Sequence, residues 1–371
     1  MTLNVLIVDD SSFFQRQLKN IINEHPQLNV IGVADNGREA IEKVKKLKPD
    51  IVTMDYEMPM MDGVTAVRHI MAENPLPIMM LSSMTYEGAR TTLDALDAGA
   101  VDFMTKNFSE IANNGAAIKK RIYDALLAIG SKIEKPLVKK ESAVLNNTPT
   151  NTLSDKKPRL ELTKRPIVTP LPVAVDNVQK SALTTKPKLL VIGASTGGPA
   201  ALTELLKSIP ASFPLPILIV QHMPENFTRA FAERLDKQCA ISVKEAATGD
   251  DIKAGRALLA PGGKQMIVDS KNIKKVKIID GTEEVNYTPC VDITFASLSN
   301  TYKGEVLAIV LTGMGHDGRD GAKLLKQQGA TIWTQEQSDC LIYGMPMAID
   351  QANLSDASYK ISELPTKLIG L

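Results

Sequence analysis

Three residue types, far apart along the chain, have the chemistry of a nucleophilic hydrolase. The stretch LLVIGASTGGPAALTELL, residues 189–206, runs an apolar segment into a glycine-flanked serine and then into helical spacing. Gly193-Ala194-Ser195-Thr196-Gly197 fits G-x-S-x-G, where small neighbours let the chain turn sharply and expose a hydroxyl. A serine hydroxyl is a weak nucleophile until a base takes its proton, and the base needs a carboxylate to orient it. The C-terminal half holds two histidines, His222 and His316. His222 closes the apolar run PILIVQH, the place where a parallel sheet gathers its active-site groups. His316 sits beside Asp317 in LTGMGHDG, and adjacent residues of an extended loop point apart, so these two are poorly placed to bond each other. Ser195, His222 and Asp317 are therefore the expected nucleophile, base and orienting acid. Their chain order differs from the Ser-acid-His order of α/β-hydrolases, but a triad is defined by geometry.

The same glycine loop admits two other readings. One is a tight turn without chemistry. The other is a dinucleotide cradle, since Gly193, Gly197 and Gly198 precede a helix whose N-terminus favours anions. Against it, Ser195 stands where G-x-G-x-x-G needs its second glycine, and the next apolar run ends in Gln221 and His222 instead of an acid. Binding of a nicotinamide cofactor would expose such an oxidoreductase. A response regulator with a non-enzymatic output is the remaining class; the output half shows no basic stripe or recognition helix for DNA.

A second group of chemistry-bearing residues lies in the first third. Asp9 and Asp10 end the run NVLIVDD, Asp55 ends DIVTMDY, Ser82 closes IMMLS and Lys106 closes DFMTK. Carboxylates converging at one sheet edge call for a hard divalent cation such as Mg²⁺. With a lysine and a hydroxyl beside them, they suit phosphoryl transfer to an aspartate.

The elements that must position these groups follow from patterning. Short continuous apolar runs alternate with segments of three- and four-residue apolar spacing, such as RQLKNIINEH and GREAIEKVKKL. That grammar predicts parallel sheets covered on both faces. It recurs after residue 187 in KLLVIGAS, PILIVQH, ALLAP, QMIVDS and LAIVLTGM. Between the halves, residues 131–186 are rich in Lys, Pro, Thr and Asn and lack sustained apolar periodicity, which predicts a flexible linker. A coil of about 55 residues spans roughly 40 Å. The expected fold is α/β: two doubly wound parallel-sheet domains, at 1–125 and 187–371, joined by a linker at 126–186.

Composition narrows the class. The chain has 371 residues, 44% hydrophobic and 23% charged, with a net charge of +1, so nothing points to nucleic acid or an anionic membrane surface. Cys239, Cys290 and Cys340 have no metal-ligand spacing and no disulfide framework. No apolar run approaches the roughly 20 residues a membrane helix requires, and the N-terminal apolar stretch is interrupted by Asp9 and Asp10. The expected location is cytoplasmic.

Two family resemblances gather these motifs. Residues 1 to about 125 resemble a response-regulator receiver domain, on Asp9, Asp10, Asp55 within MDYEMPMMDG, Ser82, Phe103 and Lys106. The resemblance implies a flavodoxin-like fold, Asp55 as phosphoacceptor, and Mg²⁺ bound by Asp9, Asp10 and Asp55. It makes Ser82 and Phe103 the hydroxyl and aromatic switch positions. Asn107 follows the lysine where that family usually has proline. Residues 187–371 resemble the catalytic domain of chemotaxis protein-glutamate methylesterases, on VIGASTGGPAAL, IVQHMPENFT, APGG and LTGMGHDGRDGA. This implies a Rossmann-like domain that removes methyl groups from γ-glutamyl methyl esters, and deamidates glutamines, on the cytoplasmic helices of methyl-accepting chemotaxis receptors. It implies Ser195 as nucleophile, His222 as base and Asp317 as acid, with backbone N–H groups at Thr196 and Met314 near the oxyanion. A chemotaxis histidine kinase is the implied phosphodonor, Mg²⁺ serves the receiver alone, and the protein acts at receptors without entering the membrane.

Overall fold

The computed structural model describes residues 2–106, 115–131, 185–281 and 285–371. The first sheet comprises β1 (Leu3–Val8), β2 (Leu28–Ala34), β3 (Ile51–Asp55), β4 (Ile78–Ser82) and β5 (Asp102–Thr105). Their order is β2-β1-β3-β4-β5 and every pairing is parallel, the flavodoxin-like arrangement. Val5, Leu6, Ile7 and Val8 are all fully buried, as a strand covered on both faces must be. Helices α1 (Ser12–Asn23), α2 (Gly37–Leu47), α3 (Gly63–Glu73), α4 (Tyr86–Asp97) and α5 (Gly115–Ser131) provide that cover. The first four start where Ser11, Asn36, Asp62 and Thr85 accept a backbone N–H two or three residues into the helix.

The second sheet is seven-stranded and entirely parallel, in the order β14-β13-β12-β6-β7-β9-β8. Its strands are β6 (Leu189–Ala194), β7 (Ile217–Gln221), β8 (Ser242–Glu245), β9 (Arg256–Leu259), β12 (Val306–Val310), β13 (Thr331–Gln335) and β14 (Ala357–Tyr359). The flanking helices are α6 (Gly198–Lys207), α7 (Glu225–Gln238), α8 (Val291–Thr301), α9 (Arg319–Gln327), α10 (Met345–Gln351) and α11 (Leu364–Ile369). The order reverses at β6, the first strand of the domain, with β12 on one side and β7 on the other. A crevice opens beyond the carboxyl ends at such a point.

Three differences from the sequence reading have physical causes. The helix closing the first domain continues past residue 125 to Ser131, because Leu126 and Ile129 are buried against the first sheet. QMIVDS does form a strand, β10 (Lys264–Val268), but it pairs antiparallel with β11 (Val276–Asp280), outside the parallel sheet. Asp269 turns the chain there by accepting from Lys271 N–H at 2.9 Å. Finally, β13 and β14 carry no periodic signal, although β13 is buried throughout. The expected linker at 126–186 lies outside the described residues from 132 to 184, as does Asn107.

Candidate active site

Ser195 follows β6 directly, and its turn is fixed by backbone bonds. Ser195 N–H donates to Thr312 O at 3.1 Å, and Gly198 N–H donates back to Ser195 O at 2.8 Å. Gln221, 2% exposed at the end of β7, also donates to Ser195 O through Nε2 at 2.9 Å. Gly197 has φ +76°, a left-handed conformation that glycine adopts without strain. Gly313 is required for a different reason: a Cβ there would lie 2.8 Å from Ser195 Cβ.

His222 follows β7, and the strand register places Ala194 opposite Gln221, so Ser195 and His222 leave neighbouring strand ends. Asp317 arrives from the far side of β6, on the loop after β12. Its Oδ2 lies 2.7 Å from His222 Nε2. Five groups in all point at this carboxylate. Besides His222 these are Val291 N–H at 2.7 Å, Asp292 N–H at 2.9 Å, Gly318 N–H at 2.9 Å and Cys290 Sγ at 3.2 Å. Val291 and Asp292 open α8, so the carboxylate also sits at the positive end of a helix. Burial alone would raise its pKa, but the imidazole and these backbone donors hold it well below the usual carboxylate range. Cys290 donates as a thiol, its pKa pushed up to about 12 by burial and by the Asp317 charge.

With Asp317 ionised, Nε2 carries the imidazole proton and Nδ1 is the basic nitrogen. His222 Nδ1 is buried and has no hydrogen-bond partner. The contact between His222 and Asp317 is thus made, while no hydrogen bond joins Ser195 to His222. His316 is exposed and lies apart from these contacts. Of the two expected oxyanion residues, Thr196 directly follows the serine, and its carbonyl accepts from Thr312 Oγ1 at 3.0 Å. The Met314 side chain packs against the apolar cluster of the first domain.

Other residues at the site carry no motif. Gln265 is 1% exposed; its Oε1 accepts Cys290 N–H at 2.7 Å and its Nε2 donates to Tyr287 O at 2.8 Å. The Tyr287 ring lies flat on the His222 imidazole, with centroids 4.1 Å apart and planes 6° from parallel.

At the first sheet the acids converge as expected. Asp9, Asp10 and Asp55 present carboxylate oxygens all within 4.8 Å of one another. Lys106 Nζ lies 2.6 Å from Asp9 Oδ2 and 2.7 Å from Asp55 Oδ2. The first contact is an ion pair without hydrogen-bond geometry, so the buried Asp9 Oδ2 is left without a hydrogen-bond partner. Three carboxylates presenting oxygens this close together fit a hard divalent cation. Burial pushes the Asp55 carboxyl up to about 6, against the opposing pull of Lys106. Ser82, fully buried, faces α4 instead: its Oγ accepts from Thr92 Oγ1 at 2.7 Å and contacts Gly88 O at 3.3 Å.

The two sheets belong to one compact unit, and α4 packs on α7. Phe103 of β5 stacks on Phe227 of α7 at 4.5 Å. The Arg234 guanidinium pairs with both Asp94 and Asp97, and Asn226 Nδ2 donates to Met84 O at 2.7 Å. Most pointed is Asp102, the first residue of β5, whose carboxyl lies near enough to the Thr196 side chain and the Gly197 backbone for both to pull its pKa down. Burial pushes this carboxyl up to about 7 in spite of that pull. A group of the first domain thus lies against the two residues that follow Ser195.

Fold and sites together define a class: a receiver domain fused to a doubly wound hydrolase domain. Residues 5–113 match the family model "Response regulator receiver domain", and residues 190–368 match "CheB methylesterase". A Pseudomonas putida protein named "Protein-glutamate methylesterase/protein-glutamine glutaminase of group 1 operon" is 50% identical over 373 residues, spanning 100% of this chain and 99% of its own. A relative from Pseudomonas savastanoi pv. phaseolicola with the same two activities in its name is 49% identical, again over 100% and 99% of the two chains. The crystal structure of the Thermotoga maritima CheB methylesterase catalytic domain is 37% identical with a TM-score of 0.48, covering 50% of this chain and 99% of that one. The chain belongs to the CheB methylesterase family, whose enzymes are protein-glutamate methylesterases and protein-glutamine glutaminases. No helix among the described residues is long and apolar enough to cross a membrane.

Proposed function

We propose that this chain demethylates glutamate methyl esters, and deamidates glutamines, on the cytoplasmic helices of chemotaxis receptors by a Ser195–His222–Asp317 mechanism under control of its receiver. Ser195 Oγ attacks the ester carbonyl as His222 Nδ1 takes its proton. Asp317 holds the imidazole through Nε2 and stabilises the imidazolium. Backbone N–H groups at Thr196 and Met314 bind the oxyanion, each worth roughly 3 kcal/mol of barrier lowering. Methanol departs with the proton from His222. Water, deprotonated by the same nitrogen, then hydrolyses the acyl-serine to a glutamate. With glutamine as substrate the leaving group is ammonia.

The observation carrying this reading is the 2.7 Å His222–Asp317 bond, which leaves a bare Nδ1 at the strand end beside Ser195. The unclosed serine-to-base contact is consistent with an inactive arrangement, since catalytic hydrogen bonds often tighten only on substrate binding. Asp102 on the Thr196–Gly197 turn supports a receiver that restrains the nucleophile loop and crowds the mouth. Phosphorylation of Asp55 by a chemotaxis histidine kinase relieves that restraint; a few kcal/mol of differential stabilisation suffices. Asp9, Asp10 and Asp55 would hold Mg²⁺, which neutralises charge during phosphoryl transfer when bound.

Methanol release from methylated receptor membranes tests this, measured with and without Mg²⁺ and a small phosphodonor. Ser195→Ala and His222→Ala are expected to lose release with or without the donor, while His316→Ala stays near wild type. Full release by folded Ser195→Ala would end the serine mechanism. Absence of stimulation by the donor would end receiver control.

A further inference from the structure

The Asp317 bond to His222 is a pivot. It fixes Nε2, but an imidazole held at one nitrogen still swings about that contact, and histidine χ2 is a soft torsion. Where Nδ1 points must therefore be set by something else. The Tyr287 ring covers one face of the imidazole, 4.1 Å away and within 6° of parallel. The tyrosine is itself tied down. Its carbonyl is held by Gln265 Nε2 at 2.8 Å, while Gln265 Oε1 holds Cys290 N–H at 2.7 Å. At the far end of the side chain, a Cβ on Gly315 would come within 3.1 Å of the Tyr287 hydroxyl, so the phenol lies against the Asp317 loop. One buried glutamine thus secures both the segment that donates to Asp317 and the ring that lies on His222.

We infer that Tyr287 is a positioning residue for the esterase reaction: its ring clamps the His222 plane so that Nδ1 faces Ser195 while Nε2 stays on Asp317. The inference rests on His222 being the base. Its physical content is twofold. The stacked face removes the tilt that would carry Nδ1 away from the hydroxyl, which acts on kcat because the proton moves only in the transition state. The electron-rich ring face also favours the imidazolium that forms as Ser195 is deprotonated. Both effects need an aromatic face, and neither needs the hydroxyl.

Steady-state methanol release by the full-length chain with saturating phosphodonor distinguishes these effects from simple packing. Tyr287→Leu keeps apolar bulk but loses the face. It is expected to lower kcat about tenfold, within the range of one lost aromatic contact, with KM changed less than twofold. The acid limb of its kcat/KM profile moves to lower pH, because the imidazolium loses its stacked partner. Tyr287→Phe is expected to restore most of the rate and the position of that limb. A folded Tyr287→Leu with wild-type kcat and profile overturns the inference, and so does Tyr287→Phe as impaired as Tyr287→Leu. A Tyr287→Leu variant that unfolds leaves Phe against His at this position as the decisive pair. Equal rates for those two support an aromatic clamp; a His variant with full activity and Phe with none overturns it. Ser195→Ala assayed alongside separates the two failures: if it retains release, the triad is wrong; if it is inactive while Tyr287→Leu is normal, only the clamp is wrong.

Discussion

Asp55 and Asp317 occupy matching places, each at or just beyond the carboxyl end of a parallel strand near the point where strand order reverses, and both are buried. Their proton affinities are nevertheless pushed in opposite directions. Asp55 has one cation, Lys106 at 2.7 Å, and one backbone donor, Tyr56 N–H at 2.8 Å, while Asp9 adds a like charge. Burial prevails and the carboxyl rises to about 6. Asp317 has three backbone N–H donors, a thiol, an imidazole and the N-terminus of α8. There the donors prevail. At these two sites the outcome follows from how far the donors aimed at the carboxylate offset its burial. The contrast suits the two tasks. An orienting acid, the role proposed for Asp317, must stay ionised through the catalytic cycle, whereas a phosphoacceptor, the role proposed for Asp55, would be completed by a bound cation.

Replacing the well-supplied carboxylate should have the largest effect. Asp317→Asn keeps the shape but offers His222 an amide and promotes the wrong tautomer, so methanol release is expected to fall by about 10³–10⁴-fold. A loss under tenfold would show that Asp317 does not orient the base. The same variant bears on acid stability. A depressed carboxyl contributes stability that is fully present above the ordinary range near pH 4 and is lost as pH falls through its own lower value. Urea titrations of wild type from pH 6 to pH 3 should show the onset of that loss below about pH 4, and Asp317→Asn should flatten it.

The effect at Asp55 is smaller and opposite in sign. Below about pH 4 both folded and unfolded chains hold this proton. Between there and about 6 the unfolded chain releases it first, so stability falls as pH rises and the cost is complete above that window. Asp55→Asn should stabilise the metal-free protein at pH 7.5 by up to about 3 kcal/mol, with the difference vanishing near pH 4; a gain independent of pH would break the comparison. The smallest effect is expected from Cys290→Ala, which removes the weakest of the Asp317 donors. A two- to fivefold fall in kcat is expected, and an unchanged rate would show that the remaining donors suffice.

The residues at the strand ends were legible because type and position coincide there. An apolar run that stops at Asp, Ser or His announces both the sheet and the group the sheet presents. Residues that act by crossing between elements were not. Tyr287 sits in a loop with no periodic signal, and its stack on His222 depends on Gln265 reaching from an antiparallel pair assigned to the wrong sheet. Asp102 reads only as the start of β5, since nothing in DFMTK marks a side chain that reaches the second domain. The strand β13, TIWTQ, next to the sheet edge, carries no continuous apolar run because three of its five residues are polar. They are buried through bonds that sequence cannot display: Gln335 Oε1 accepts Thr312 N–H at 2.8 Å, and Thr334 Oγ1 meets Asp350 at 3.1 Å.

The strand β5 is short, yet Asp102 at its start touches the turn after Ser195 while Lys106, just past its end, grips Asp9 and Asp55. At about 3.3 Å per residue, roughly 13 Å of extended chain joins the two. One short strand therefore spans from the acid cluster to the turn after Ser195, so a shift of its register by a single residue would displace both ends.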